Sequence, residues 1–215
     1  MTNEVTLHSF LGSPFSCRVK IALNLKGIKY EVIEENLSEK GPELLKYNPV
    51  YKKIPVLVHD GNPVSESLVI VEYVNDAWGQ VPLLPQDAYG KAQVRFWAKF
   101  VDDKCIPALL KVVRSHGEEQ AVAEAHEQLQ FLENELKGNK FFGGDNINLV
   151  DIAASYISFW LGAAEEAVGI KVLNKDKFPK LTEWCDNYIN CQAVKDCLPT
   201  RDATIGIYKM RFGKT

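Results

Sequence analysis

The chain has 215 residues, of which 46% are hydrophobic and 25% charged, and its formal net charge is -3. Acidic and basic residues are mixed along the chain, so no nucleic-acid or anionic-membrane partner is expected. No stretch approaches the roughly 20 apolar residues that a transmembrane helix needs, and the acidic opening MTNEVTL is unlike a secretory signal peptide. The five cysteines include no CxxC pair. Such a set of thiols is typical of a reducing compartment, so we expect a cytoplasmic protein.

The first third of the chain alternates strand and helix patterns. Residues 4–8 and 29–34 are rich in β-branched and aromatic side chains, which favours strands. Between them, Pro14 and Gly27 delimit a helix over 14–26. We expect its apolar residues to be buried and its basic residues to remain in solvent: Val19, Ala22 and Leu23 in the first group, Arg18, Lys20 and Lys26 in the second. The later elements are a helix at 42–47, strands at 55–59 and 63–67 around the turn Asp60-Gly61-Asn62, and a helix at 65–78.

This order of elements indicates a thioredoxin-like domain over residues 1–79. Two prolines without hydrophobic periodicity mark 80–87 as a linker. Strand signals then stop, so 88–215 is expected to be an all-helical domain, and the fold class is α+β. Its helices are predicted at 88–115, 118–137, 149–166, 178–190 and 201–210.

The helix that follows Asn148 has the clearest start signal in the sequence. Asn148 is a good N-cap, and Asp151 stands at the third helical position. Ile147 and Ile152 lie where a hydrophobic staple forms. The pattern indicates a well-capped core helix.

Ser13 lies between the first strand and the first helix. A helix N-terminus carries unpaired N–H groups and a partial positive charge, so it stabilises an anion placed there. A hydroxyl at this point can also donate a hydrogen bond to a thiolate. Serine is a common N-cap as well, so the residues alone leave both roles open. Cys17, one turn further, is expected to be a buried thiol without a catalytic role.

Two further segments have features that suit a peptide ligand. A cis Ile54-Pro55 bond before a strand would expose the Ile54 backbone to an extended peptide, whereas a trans proline opening an edge strand is the alternative. Ser67 at a helix start suits a carboxylate and Glu66 suits an ammonium group, although capping alone would also explain them. The four histidines show no metal-ligand spacing, so no metal is expected.

In order and spacing, these motifs resemble the glutathione-binding half of soluble glutathione transferases, and the helical second half resembles the rest of that family. The resemblance covers essentially the whole chain. Segments similar to the plant tau class in particular are Ser13-Pro14-Phe15, Arg18-Val19, Lys26-Gly27, Tyr30-Glu31, Lys53-Ile54-Pro55-Val56-Leu57, Glu66-Ser67 and the helix opening at Asn148 and Asp151. The family usually has threonine in place of Asn148, but asparagine also caps helices.

The resemblance implies a role for each matching residue. Ser13 would donate to the glutathione sulfur, and the Ile54 backbone, ahead of a cis Pro55, would pair with the cysteinyl part of the tripeptide. Lys40 and Lys53 would bind the glycine carboxylate of glutathione. Glu66 and Ser67 would bind the γ-glutamyl end. Arg18 and Asp103 would form an ionic group that supports Glu66. Glutathione is then a co-substrate, and no cofactor is implied.

A small hydrophobic electrophile is expected to bind against the helical domain, near two aromatic residues that flank Ser13. The candidates are Phe10, Phe15, Pro107, Leu110, Lys111, Arg114, Trp160, Ile205, Tyr208 and Phe212, and core packing is the alternative for each. The resemblance also implies a homodimer. Its contact surface is expected along the helices at 66–78 and 88–102.

The expected activity is conjugation of the glutathione thiolate to small hydrophobic electrophiles, with peroxidase activity through the same thiolate. A carrier of hydrophobic ligands is an alternative, because a fold alone does not establish turnover. A cysteine at position 13 would have indicated glutathione-dependent thiol transfer, and Ser13 argues against it.

Overall fold

The computed structural model describes residues 4–213 of the chain. The chain divides into two compact units, Met1–Leu83 and Leu84–Thr215, and the division falls within residues 80–87, which the sequence marks as a linker. Within the described residues, no helix is long and apolar enough to cross a bilayer.

The first unit is built on a four-stranded sheet in the order β2-β1-β3-β4. Its elements are β1 (Val5–Ser9), α1 (Pro14–Leu25), β2 (Glu31–Glu34), α2 (Pro42–Tyr47), β3 (Val56–His59), β4 (Asn62–Ser65) and α3 (Ser67–Ala77). β1 pairs parallel with β2 and antiparallel with β3, which pairs antiparallel with β4. Leu7, opposite Val32 and Leu57 in the central strand, is fully buried. The predicted thioredoxin-like order is confirmed.

Helix α1 begins where the sequence predicts. Ser13 is its N-cap, and the Ser13 Oγ accepts a hydrogen bond from the Ser16 backbone N–H at 3.2 Å. Pro14 occupies the first helical turn, where its missing N–H costs nothing. Gly27 follows the helix with a φ of 65°, which glycine adopts without strain.

The expectation that the basic residues of α1 remain in solvent is wrong. Arg18, Lys20 and Lys26 are only 1%, 8% and 5% exposed. Burial of a charged group is costly unless the group finds a partner, and each of these head groups has one nearby: the Ser67 hydroxyl for Arg18 at 3.1 Å, the Glu34 carboxylate for Lys20 at 3.5 Å and the Asn75 carbonyl for Lys26 at 3.4 Å. Burial lowers the pKa of Lys26.

The second unit is helical over its described residues, as predicted. Its α-helices are α4 (Ala88–Phe100), α5 (Ile106–Arg114), α6 (Glu119–Glu135), α7 (Leu149–Ala153), α8 (Leu161–Val168), α9 (Pro179–Ile189), α10 (Gln192–Lys195) and α11 (Arg201–Phe212). The short helix α10 was not predicted, because four residues are too few to show periodicity.

Two of the long predicted helices are interrupted. The helix predicted at 88–115 contains the π-helical segment Val101–Cys105, and the helix predicted at 149–166 contains the π-helical segment Tyr156–Trp160. The first interruption precedes Pro107, which has no N–H to donate to the preceding turn, so a change of hydrogen-bond spacing there is expected. The structure offers no comparable local cause for the second interruption.

Asp151 is a buried acceptor for three separate parts of the second unit. Its side chain accepts from the backbone N–H of Asn148 at 2.8 Å, from the backbone N–H of Phe142 at 2.9 Å and from the indole N–H of Trp184 at 2.8 Å. Asn148 in turn accepts from the Val150 and Asp151 N–H groups, so the predicted cap of α7 is confirmed. This one carboxyl group joins a loop, α7 and α9.

At pH 4, Asp151→Asn is expected to lower the free energy of unfolding by about 3 kcal/mol. The amide keeps the size of the side chain, but its NH₂ group faces N–H donors that the carboxyl oxygens now accept. Urea denaturation measures the loss. Asp145→Asn, a change at an exposed acid nearby, is the control and should shift stability by less than about 0.5 kcal/mol. Equal stability of the two variants would contradict the importance of Asp151.

Asp151 also gives a pH dependence to stability. Burial, opposed by the hydrogen bonds from Asn148, Phe142, Trp184 and Gly143, raises the pKa of Asp151 from 3.8 to about 6. The folded state therefore holds this proton more tightly than the unfolded chain, and the associated stability is complete below about pH 4 and lost as the pH rises through about 6. The stability difference between the parent and Asp151→Asn should accordingly shrink from pH 4 to pH 7, and a difference that grows would disprove the shift.

Candidate active site

The first unit contains a cavity of about 290 Å³ that gathers several predicted site residues. Its wall combines the start of α1, the loop before β3 and the start of α3. The lining residues are Phe15, Asn48, Tyr51, Lys53, Ile54, Pro55, Glu66 and Ser67. The cavity therefore presents a cation, an anion, backbone polar groups and an aromatic side chain to a ligand.

Ser13 caps α1 at a buried position close in sequence to Phe15 of the cavity. Its Oγ accepts from Ser16, and a hydroxyl can donate while it accepts, so its proton is available to another acceptor. The capping role, which the sequence left open, is confirmed. The catalytic role stays a prediction, and Ser13 is absent from the cavity wall that the described residues form.

The Ile54-Pro55 peptide bond is cis, as predicted. Pro55 is buried and Ile54 is half-buried on the cavity wall. Among residues 4–213, the backbone N–H and C=O of Ile54 have no hydrogen-bond partner. An extended peptide in the cavity would find an unpaired backbone donor and acceptor there.

The N-terminus of α3 differs from that of α1 because no side chain caps it within the described part of the chain. Glu66 precedes the helix with a φ of 74°, a conformation that is costly for a residue with a side chain. Ser67, the first helical residue, accepts a hydrogen bond from the Arg18 guanidinium at 3.1 Å. Uncapped N–H groups, a hydroxyl and a nearby guanidinium together favour an anion.

The two lysines assigned to the glycine carboxylate lie on the segment between β2 and β3. Both are exposed, and Lys53 lines the cavity whereas Lys40 does not. The buried Asn48 amide donates to the Lys53 carbonyl at 2.9 Å and accepts from the Tyr51 N–H at 3.1 Å. Asn48 and Tyr51 were missed by the sequence analysis, although Asn-Pro is a turn signal that could have drawn attention to Asn48.

The predicted electrophile-site residues have different surroundings within their own units. Phe15 is exposed and Phe10 is half-buried in the first unit. On α5, the exposed side chains are those of Pro107, Lys111 and Arg114, and Leu110 is half-buried. Near the C-terminal end, Ile205 and Tyr208 are buried, Phe212 is half-buried, and Trp160 is fully buried. Complete burial shows that Trp160 packs in the core, the role that the sequence left as an alternative.

Neighbouring charges affect two of the other candidates. Lys111 forms an ion pair with Glu124 at 2.6 Å, which lowers the pKa of that carboxyl group. Asp103, in the π-helical segment after α4, pairs with Lys99 at 2.7 Å. Both pairs are solvent-exposed and contribute little to stability.

The sequence analysis missed Tyr156, a buried phenol that interacts with the predicted candidate Tyr208. Burial raises the pKa of Tyr156 and Tyr208, and each hydroxyl also affects the ionisation of the other. Both groups therefore stay protonated near neutral pH and can act as hydrogen-bond donors. A single tyrosine in an apolar helical pattern gives no signal of such a neighbour.

Four of the five cysteines are buried. Cys17 is buried, as predicted, and all of the five cysteines are thiols. Burial raises the pKa of the Cys105 and Cys185 thiols well above the ordinary value. Thiols in this form are poor nucleophiles.

A thioredoxin-like unit with this cavity, followed by a helical unit, defines the class of glutathione-binding transferases. Family models agree: "Glutathione S-transferase, N-terminal domain" matches residues 3–76, and "Glutathione S-transferase, C-terminal domain" matches residues 96–191. A probable glutathione S-transferase of Glycine max is 49% identical over 97% of this chain and 94% of its own length. Glutathione S-transferase U7 of Arabidopsis thaliana is 45% identical over 99% of this chain and 95% of its own length.

Solved structures show the same similarity. The tau class glutathione S-transferase of mango, Mangifera indica, has a TM-score of 0.90 and 39% identity, with 96% of this chain and 98% of that chain covered. Rice GST1 in complex with glutathione has a TM-score of 0.88 and 37% identity, with both chains covered completely. The chain therefore belongs to the glutathione S-transferase family, and its predicted resemblance to the plant tau class is confirmed.

Proposed function

We propose that the cavity of the first unit binds glutathione and that Ser13 stabilises its thiolate for attack on small hydrophobic electrophiles. The observation that carries this proposal is the wall of the cavity. It unites Lys53, the unpaired backbone of Ile54, and Glu66 with Ser67, residues that the family resemblance assigns to three different parts of the tripeptide.

The contacts follow from the chemistry of glutathione. Its γ-glutamyl carboxylate binds at the uncapped start of α3, at Ser67, and Glu66 receives the ammonium group. The cysteinyl backbone pairs with Ile54 as a short extended strand. The glycine carboxylate binds Lys53 and Lys40, which are exposed cations.

Activation of the thiol requires a modest free energy. A thiol with a pKa near 8.5 is only a few per cent ionised at pH 7. Lowering that pKa by about two units requires roughly 2.7 kcal/mol of preferential stabilisation of the thiolate. A hydroxyl hydrogen bond to an anion supplies about 1.5–3 kcal/mol, and the N-terminus of α1 adds about 0.3–1 kcal/mol. Ser13 and α1 together therefore suffice.

The helical unit supplies the electrophile site in this proposal. The exposed or half-buried candidates on α5 and α11 are Pro107, Leu110, Lys111, Arg114 and Phe212. Reduction of organic hydroperoxides uses the same thiolate and is expected alongside conjugation. All five cysteines are reduced thiols, and reduced thiols are typical of cytoplasmic proteins.

Ser13→Ala is expected to lower the turnover number for conjugation about 10- to 100-fold, because one charge-assisted hydrogen bond to the thiolate is lost. The KM for glutathione should change much less, because the carboxylate contacts remain. The pKa of bound glutathione, measured from the thiolate absorbance, should rise. A panel of an aryl halide, an isothiocyanate and a hydroperoxide tests the substrate classes.

Ser13→Thr is the matched control, since it keeps both the hydroxyl and the cap that Ser13→Ala removes. It should retain most activity, which would tie the loss in Ser13→Ala to the hydroxyl group rather than to substitution at this position. Ser13→Cys should suppress conjugation and introduce glutathione-dependent disulfide reduction, because a cysteine at a helix N-terminus forms mixed disulfides. Undiminished conjugation by Ser13→Ala with an unchanged thiol pKa would show that Ser13 is only a cap.

The proposal includes a homodimer, supported by exposed apolar side chains on both predicted contact helices. Val69 on α3 and Tyr89 and Phe96 on α4 are all more than half exposed, at 57%, 74% and 58%. Exposed aromatic residues of this kind are enriched at protein interfaces.

Phe96→Glu is expected to dissociate the dimer, because a carboxylate is costly to bury in an apolar contact. Sedimentation at micromolar concentration should show a shift towards the 24.2 kDa monomer. Met210→Glu alters an exposed apolar residue outside the predicted contact helices and is the control. A monomeric parent, or a Phe96→Glu variant that sediments like the parent, would contradict this contact surface.

A further inference from the structure

A buried hydrogen-bonded pair, His8 and Glu35, lies at the end of the parallel strands β1 and β2. The His8 Nδ1 atom is 2.7 Å from the Glu35 Oε1 atom, and the two side chains are 1% and 6% exposed. A carboxylate only accepts hydrogen bonds, so His8 donates through Nδ1. The Glu35 N–H donates to the Ser9 carbonyl at 2.8 Å, which fixes the backbone of Glu35 to β1.

The second oxygen of Glu35 contacts the start of α2. The Gly41 N–H donates to the Glu35 Oε2 atom at 3.3 Å. Gly41 is the N-cap of α2 and has no side chain to cap it. In a capping box the residue at the third helical position would bond the N-cap N–H, but that residue is Leu44, which is buried in an apolar cluster with Val56 and Val58. Glu35, which lies outside the helix, therefore provides the acceptor for the N–H of the N-cap residue.

This contact lies next to one of the lysines assigned to glutathione. The Gly41 N–H belongs to the peptide unit that follows Lys40, so the Glu35 carboxylate orients the backbone directly at Lys40. Residues 36–40 are all exposed. Leu44 is the buried residue of α2 and holds the helix to the core, but it lies beyond the peptide unit that orients Lys40.

We propose that Glu35, held by His8, is a positioning residue that aims Lys40 at the glycine carboxylate of glutathione. The inference rests on the proposed binding of glutathione and adds a source of specificity to it. Glu35 and His8 are expected to affect only the glycine end of glutathione, because Ile54, Glu66 and Ser67, which contact the other parts, lie on other elements.

The test compares glutathione with γ-glutamylcysteine, which lacks the glycine carboxylate. In Glu35→Gln, the amide has one acceptor oxygen, which can serve the Gly41 N–H or the His8 Nδ1–H but not both. His8 then keeps a partner only by changing tautomer and accepting from the amide N–H. The KM for glutathione should rise about 5- to 10-fold with the turnover number within about twofold of the parent. The KM for γ-glutamylcysteine should change by less than about twofold. Turnover with γ-glutamylcysteine also reports that the variant is folded.

Variants of His8 and Lys40 extend the test. His8→Leu removes the donor to Glu35 and should reproduce the effect of Glu35→Gln. His8→Asn places an amide nitrogen at the position of Nδ1 and should stay close to the parent. Lys40→Met should also raise the KM for glutathione selectively, and adding Glu35→Gln to it should have little further effect, because both changes remove the same contact. Glu39→Gln, the same change at an exposed neighbour, is the control and should behave like the parent.

Equal increases in KM for both thiols would show that Glu35 only stabilises the unit, and no increase for either thiol in both Glu35→Gln and His8→Leu would show that the contact is irrelevant. Either result overturns the inference. A parent enzyme that does not discriminate between the two thiols would overturn the role of Lys40 and the inference with it. Failure of the proposed thiol activation is a separate result, because it is seen in Ser13→Ala.

Discussion

The site depends on one buried guanidinium group. Arg18 lies in α1, just over one turn after Ser13, and donates to the Ser67 hydroxyl at the start of α3. Its guanidinium also lies 5.0 Å from the centre of the Phe15 ring. Burying a charged group is costly unless it is hydrogen-bonded, so the contact with the Ser67 hydroxyl favours the present spacing of α1 and α3. The contact therefore helps to set the spacing between the start of α1, proposed to hold the thiol, and the start of α3, proposed to hold the γ-glutamyl group.

The free backbone N–H groups at these two helix starts are treated differently: one helix start has a side-chain cap and the other does not. The start of α1 is satisfied internally by Ser13, whereas the start of α3 has no side-chain cap within the described residues and follows Glu66 at a φ of 74°. An uncapped end and a strained residue lower stability, and such features persist where a ligand completes the site. The strained residue lies on the cavity wall, which agrees with ligand binding at α3.

The sequence predicts what local patterns control and misses what distant contacts decide. The cap at Ser13 and the box at Asn148 and Asp151 depend on residues within a turn of one another. The burial of Arg18 depends on a distant contact, because its partner Ser67 is 49 residues away. Helical periodicity alone places charged residues in solvent. Asn48 is likewise hidden, because its importance depends on the path of the loop up to Lys53.

Affinity and reactivity are assigned to different parts of the first unit. Ser13 caps α1, which is buried along most of its length, so the proposed thiol activation would rest on a well-packed element. The lysines lie on the segment between β2 and β3, where Leu44 is the buried residue of α2. Weakly packed segments open at low cost, and polar contacts at both ends, from Glu35 to Gly41 and from Asn48 to Lys53, oppose this. Changes in that segment can therefore tune glutathione affinity without altering the chemistry at the sulfur.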